Sequence, residues 1–126
     1  MTEYALDRLT PQVAHLTVKL ALALPDRWIA RELGRQLLRS GTGVAANYRA
    51  AKRAQSAADL ITKLKKVEEE ADESILWTEL LLIPGVSSGL AAPTEELQDL
   101  CNQVTALSVA AVRTTRERQP RRRKGV

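Results

Sequence analysis

The chain has few of the side chains from which sheet cores, disulfide frameworks and catalytic centres are built. It has no phenylalanine and only four aromatic residues in 126: Tyr4, Trp28, Tyr48 and Trp77. Strands favour aromatic and β-branched residues, whereas the apolar 44% of this chain is mostly Leu, Ala and Val, which favours helices. Composition and length together predict one soluble, all-α domain.

Cysteine and histidine are also scarce, with Cys101 and His15 occurring once each. An intrachain disulfide is therefore excluded, a zinc site lacks its usual ligands, and nucleophile–histidine catalysis would depend on His15 alone. The acidic cluster at residues 68–73 contains no Glu-x-x-His pair of the kind that di-metal bundles use, so it predicts a charged helix face. We expect no enzymatic activity, no catalytic residues, no metal and no cofactor.

Long apolar runs are missing as well. No stretch approaches the roughly 20 apolar residues of a membrane span. The N-terminal segment carries Glu3 and Asp7 and lacks the basic and then apolar pattern of a secretory signal. These absences predict a cytoplasmic protein with no membrane partner.

Apolar residues recur at alternating steps of three and four in four segments, which predicts an antiparallel up-down four-helix bundle over residues 1–118. The first segment covers residues 6–24, with Thr10 as a candidate N-cap, Pro11 at the first regular helical position and Pro25 as its end. The third follows a Ser56 cap and stops at Pro84. The fourth starts near Thr94, and its predicted stripe is Leu97, Leu100, Val104, Leu107 and Ala111, with Cys101 as a small filler beside it.

The second segment, residues 26–54, contains the sequence Ser40-Gly41-Thr42-Gly43. A loop is one interpretation, because each glycine costs about 1 kcal/mol in a helix interior. However, the apolar stripe keeps its phase across the glycines, which favours one long helix whose small residues let a neighbour approach closely. The spacing matches neither a Walker loop nor a dinucleotide-binding fingerprint.

Charge is distributed unevenly along the chain. The formal charge is +4, but the stretch from Arg113 to Lys124 carries +6 and the remainder −2. We predict a disordered basic tail over residues 119–126. It is interpreted either as a solvated terminus or as an arm that neutralises phosphates. The candidate nucleic-acid-binding residues are Arg39, Arg49, Lys52 and Arg53 in the second segment and Arg113, Arg116, Arg121, Arg122 and Arg123 at the C-terminus.

Two further features concern packing and assembly. Trp28 and Trp77 are most simply anchors in the packing of the bundle. In the third segment Trp77, Leu80 and Leu81 lie on different faces of the predicted helix. A monomeric bundle buries only one apolar face of each helix. The excess predicts a second buried surface and hence a homo-oligomer.

The central stretch, residues 37–81, resembles a known family: the small bacterial four helix bundle proteins encoded in intervening sequences of large-subunit ribosomal RNA genes. The residues that carry the resemblance are Arg39-Ser40-Gly41-Thr42, Val44, Ala46, Asn47, Ser56, Asp59, Lys63-Leu64, Glu69, Ala71, Glu73, Trp77 and Leu80-Leu81. The family often has an acidic residue where this chain has Ala50.

The resemblance implies an up-down four-helix bundle assembled as a homopentamer ring, with no enzymatic activity and no cofactor. A related branch is the accessory protein of diversity-generating retroelements, which associates with a reverse transcriptase and with nucleic acid. Asn47, Asp59, Lys63 and Glu73 are polar residues shared with the family, and our hypothesis is that they hold helices or subunits in register.

Two functions follow from these observations. The first is an oligomeric, non-enzymatic accessory factor that binds RNA or DNA through basic surfaces, since a ring multiplies the basic patch of one chain. The alternative is a protein-interaction scaffold, for example a reverse-transcriptase accessory subunit, without direct contact to nucleic acid.

Overall fold

The computed structural model describes residues 2–120, which form four helices and no strand. They are α1 (Thr2–Ala23), α2 (Trp28–Ala51), α3 (Ala57–Leu81) and α4 (Ala91–Glu117). Helices consecutive in the chain pack against each other, and α4 packs against α1, so the four enclose a common core. The predicted all-α fold with four helices is confirmed. None of the described helices is long and apolar enough to cross a bilayer.

Contacts between named residues give the helix directions. Near the start of α1, the Glu3 carbonyl accepts a hydrogen bond from the Tyr48 hydroxyl, whereas a side chain at Gly34 would meet Leu24, just beyond the end of α1. Residue numbers thus rise along α1 as they fall along α2, and the two helices are antiparallel. The core is a single cluster to which every helix contributes; its fully buried members include Val13, Leu20, Leu37, Val44, Val67, Ala71, Leu97 and Val104.

The first helix begins eight residues earlier than its predicted cap. Thr10 is not an N-cap: it is buried inside α1, and its Oγ1 donates to the Leu6 carbonyl at 2.8 Å. Pro11 lies within the helix at an exposed position, where water can reach the carbonyl that its missing N–H leaves unpaired. Burial of Leu6 and Leu9 favours extending the helix toward the N-terminus. The end at Ala23, before Pro25, agrees with the prediction.

The second helix runs unbroken through Gly41 and Gly43, as the phase of its stripe predicts. The close approach is real at Gly41, where a Cβ would overlap the Thr17 side chain of α1. At Gly43 a Cβ would lie 3.1 Å from the Glu70 carboxylate of α3. The two glycines therefore make room for two different helices: Gly41 for Thr17 of α1 and Gly43 for Glu70 of α3.

The third helix begins as predicted, because Ser56 Oγ accepts from the Asp59 N–H at 3.0 Å. The fourth helix begins at Ala91, so Thr94 is an interior residue, and its buried seam differs from the predicted stripe. Cys101 and Ser108 are fully buried, whereas Leu100 and Leu107 are half-buried at the flanks. Small residues at the centre let α4 approach its neighbours, and leucines beside them cover the edge of the core.

Candidate nucleic-acid interface

Residues from both of the basic groups predicted from the sequence lie at one end of the bundle. The C-termini of α2 and α4 and the N-termini of α1 and α3 all border a single cavity, which is lined by Thr2, Lys52, Ser56 and Arg118 among others. Segments separated by about sixty residues in the chain are brought together there because α2 and α4 run in the same direction. We call this region the basic end and define it by Arg49, Lys52, Arg53, Arg113, Arg116 and Arg118.

Five of these side chains are available for an anionic ligand. Arg49, Arg53, Arg113, Arg116 and Arg118 are exposed, and no carboxylate of residues 2–120 forms an ion pair with them. Arg49 and Arg116 lie in the last turns of α2 and α4, where the helix dipole favours positive charge. An exposed, unpaired guanidinium can bind phosphate oxygens in a bidentate manner.

Lys52 is different, because it is already paired. Its Nζ lies 2.8 and 3.1 Å from the two Asp7 carboxylate oxygens, 3.5 Å from Glu3 Oε1 and 5.9 Å from the centre of the Tyr48 ring. The hydrogen bond from Lys52 lowers the pKa of Asp7, and the same bond raises the pKa of Lys52. Burial, followed by the neighbouring Asp7, raises the pKa of Tyr48. Lys52 therefore joins α2 to α1 and is the weakest phosphate-binding candidate of the group.

Arg39 is also separated from the basic end. It lies ten residues before Arg49, about 15 Å along the helix, and forms an ion pair with Glu73 of α3. The Trp77 indole N–H also donates to Glu73, at 3.4 Å. The structure thus assigns Arg39 to the α2–α3 contact, and the remaining candidates Arg121, Arg122 and Arg123 lie outside the described residues.

Among the four polar residues shared with the family, Glu73 alone forms an ion pair or hydrogen bond between helices of residues 2–120, through Arg39. Asp59 and Lys63 form a 2.7 Å ion pair within α3, and Asn47 donates to the Gly43 carbonyl within α2 at 2.8 Å. A connection between α2 and α3 that the sequence did not indicate comes from Ser40 and Ser74, whose buried hydroxyls are 2.7 Å apart.

The sequence does not indicate two features of the basic end. One is the cavity itself, of about 1250 Å³. The other is a groove of about 310 Å³ between α3 and α4, in which Lys65 joins Arg113 and Arg116. Lys65 belongs to a basic run in the sequence, but only the packing of α3 on α4 indicates which lysine of that run faces the arginines.

The opposite end of the bundle is apolar on its surface. Leu22 is 83%, Trp28 72%, Ile83 50% and Ile29 43% exposed, and together they define what we call the apolar end. Arg27 brings the α1–α2 and α3–α4 connections together there by donating to the Gly85 carbonyl at 2.7 Å. The prediction that Trp28 anchors the packing is wrong because it is the first residue of α2 and points away from the seam. Trp77 does pack against the core, as predicted.

Residues with catalytic potential occupy separate places. His15 is exposed on α1, and Cys101 is fully buried in α4, where burial raises the pKa of its thiol to about 12. A thiol with such a pKa remains protonated at neutral pH and is a poor nucleophile. Within residues 2–120 no group of three or more His, Cys, Asp or Glu is placed to hold a metal ion.

One solved structure is similar to this chain over nearly its whole length. It is a protein of unknown function from the S23 ribosomal protein family of Bacteroides thetaiotaomicron, with 27% sequence identity and a TM-score of 0.74. The similarity covers 90% of this chain and 99% of the solved one. No protein-family model and no curated protein matches the sequence. The likeness supports the all-α four-helix bundle.

Proposed function

We propose that this protein is a non-enzymatic accessory factor that binds RNA or DNA through the basic end of its helical bundle. The observation that carries the proposal is that Arg49, Arg53, Arg113 and Arg116, exposed and in no ion pair within residues 2–120, lie near the C-terminal ends of α2 and α4, at one end of the bundle. The predicted basic tail, residues 119–126, follows α4 in the sequence, and we propose that it adds charge to the same ligand contact. The family of the similar solved protein is named for a ribosomal protein, which is in keeping with an RNA ligand.

The arrangement favours contact with phosphates over recognition of base sequence. Phosphate contacts supply affinity without sequence information, and the two pairs of arginines project from the ends of different helices, so no single helix is positioned to enter a major groove with all of them. We therefore propose a binder of broad sequence tolerance that works in the cytoplasm.

Charge reversal at the basic end is expected to abolish most of this binding. The double change Arg49→Glu and Arg53→Glu should weaken binding of unrelated RNA and DNA sequences about equally, because it replaces attraction to phosphates with repulsion. It should also reduce the slope of the logarithm of the binding constant against the logarithm of the salt concentration. Each phosphate neutralised on duplex DNA contributes about 0.9 to that slope. Fluorescence anisotropy with labelled oligonucleotides across a salt series measures both effects. Lys52 is left intact because reversing it would place three carboxylates together.

The control is Arg31→Glu with Arg35→Glu, which makes the same charge change on exposed residues of α2 closer to the apolar end, where the two arginines pair with Asp26 and Glu32. Equal losses from the two double variants would indicate a net-charge effect and contradict a site at the basic end. A third protein that lacks residues 119–126 separates the tail from the bundle. If the tail deletion alone abolishes binding and the basic-end variant has no effect, the bundle is better interpreted as a protein-interaction scaffold.

The exposed apolar residues favour a second property, self-association. We propose that the protein assembles as a homo-oligomer, and the resemblance of residues 37–81 to the intervening-sequence proteins makes the homopentamer ring the leading arrangement. Leu22, Trp28 and Ile83 at the apolar end, with Val18 and Leu38 beside the α1–α2 contact, supply surface that a monomer leaves in water. A reverse transcriptase is an alternative partner for the same surface.

Light scattering after gel filtration is expected to give a mass several times 13.9 kDa, with five chains as the leading stoichiometry. Changing Leu22 and Trp28 together to Ser should shift the equilibrium toward smaller species, because both side chains are largely exposed and contribute little to the core. Changing Tyr4 to Ser, an exposed residue at the other end, serves as the control. A monodisperse monomer at micromolar concentration would contradict the proposal.

A further inference from the structure

We propose that the cavity at the basic end is a binding site for one unpaired base of a single-stranded nucleic acid, with Tyr4 as the stacking platform at its rim. The proposal rests on the proposed function, since it specifies which form of nucleic acid the basic end recognises. It concerns the cavity of about 1250 Å³ enclosed by the first turns of α1 and α3 and the last turns of α2 and α4.

The cavity has an apolar interior and a polar, charged rim. Leu6, Ala51, Leu60 and Leu64 belong to the apolar lining, while Lys52, Ser56 and Arg118 belong to the polar lining. Since α2 and α4 make no mutual contact within the described residues, Lys52 and Arg118 lie across the cavity from one another. A ligand with a flat, apolar part that has polar edges, and with an attached phosphate, would fit an apolar interior and a charged rim. A nucleotide is such a ligand.

Tyr4 is the feature that specifies a base. It is one of only four aromatic residues, it is 69% exposed, and it belongs to the cavity lining. An exposed aromatic ring beside cationic side chains is the arrangement by which proteins bind single strands, since every base can stack on it. The second tyrosine of the cavity, Tyr48, is buried, and its hydroxyl is committed to the Glu3 carbonyl at 3.2 Å. Tyr4 is therefore the ring available to a ligand.

The charges of the rim favour one orientation of the ligand. Glu3 and Asp7 repel a phosphate on the α1 side, even though Lys52 compensates part of their charge. Arg118 just after α4 and Arg53 just after α2 are exposed. The phosphates are thus expected over α4 and the end of α2, with the base turned inward. A base within a duplex is stacked and paired and cannot enter, so single strands are preferred.

The test compares a labelled single-stranded oligonucleotide with the duplex of the same sequence by fluorescence anisotropy, using the full chain. The wild-type protein is expected to bind the single strand more tightly. Tyr4→Ala should weaken single-strand binding about tenfold, in the range that loss of one stacked base produces, and leave duplex binding unchanged. Tyr4→Phe keeps the ring and should retain wild-type affinity.

His15→Ala removes an exposed ring from the same helix, outside both the basic end and the apolar end, and should alter neither affinity. Far-UV circular dichroism checks that each variant remains helical. The inference is overturned if Tyr4→Ala weakens binding of both ligands equally, if His15→Ala has the same effect, or if the wild-type protein binds duplex and single strand alike. Binding of neither ligand by the wild-type protein would overturn the proposed function as well.

Discussion

Replacing Gly41 by alanine is expected to lower the free energy of unfolding by about 1–3 kcal/mol, the usual cost of forcing an extra methyl group into a packed interface. The new Cβ would lie inside the Thr17 side chain of α1, with Thr17 Cγ2 at 2.8 Å and Cβ at 3.0 Å. Alanine is favoured over glycine in a helix by about 1 kcal/mol, so a purely local view predicts stabilisation. The contact with Thr17 outweighs this local preference, so we expect Gly41→Ala to be destabilised. Urea unfolding of the wild-type protein and of Gly41→Ala measures the difference.

Gly43→Ala is the matched control, because it makes the same change two residues away in the same helix. Its Cβ would meet the Glu70 carboxylate at 3.1 Å, and the end of a flexible side chain can turn aside. This variant should therefore stay within about 1 kcal/mol of wild type. Thr17→Ala should restore part of the stability lost in Gly41→Ala. Alone it should be nearly neutral, since Thr17 Oγ1 is buried without a hydrogen-bond partner within residues 2–120. Equal effects of the two glycine substitutions would contradict the α1–α2 contact.

The sequence predicts the helices well because their determinants are local and periodic. The unbroken α2 follows from a stripe that keeps its phase, and the start of α3 follows from the Ser56 cap. The seam of α4 could not be predicted in the same way. Leu100 and Leu107 fit the periodicity as well as Cys101 and Ser108 do, and the choice between adjacent seams depends on which side α1 and α3 approach.

In the candidate interface too, the positions of the residues could be predicted from the sequence, whereas their side-chain partners could not. That Arg113 and Arg116 lie near the end of a helix follows from their position before Pro120, and their placement at the same end as Arg49 and Arg53 follows from the antiparallel topology once four helices are assumed. The partner of each side chain is a tertiary property. Nothing in the local sequence indicates that Lys52 pairs with Asp7, forty-five residues away, or that Arg39 pairs with Glu73. Net charge along the chain therefore overstates the number of cations available to a ligand.

The largest loss of stability is expected from Leu37→Ala. Leu37 is fully buried in the core cluster, so truncation removes apolar contacts and leaves a cavity at a cost of about 2–5 kcal/mol. The adjacent Leu38 is turned about 100° around the helix and is 38% exposed, so Leu38→Ala should cost about 1 kcal/mol or less.

Urea unfolding of both leucine variants should move the midpoint far more for Leu37→Ala, with unchanged slopes. Repeating the Leu38→Ala measurement over a range of protein concentrations adds a second comparison. A loss that grows with concentration would assign Leu38 to the contact between copies of the chain, whereas a loss independent of concentration would assign it to the fold of one chain. Similar midpoint shifts for the two variants would contradict the orientation of α2 in the bundle.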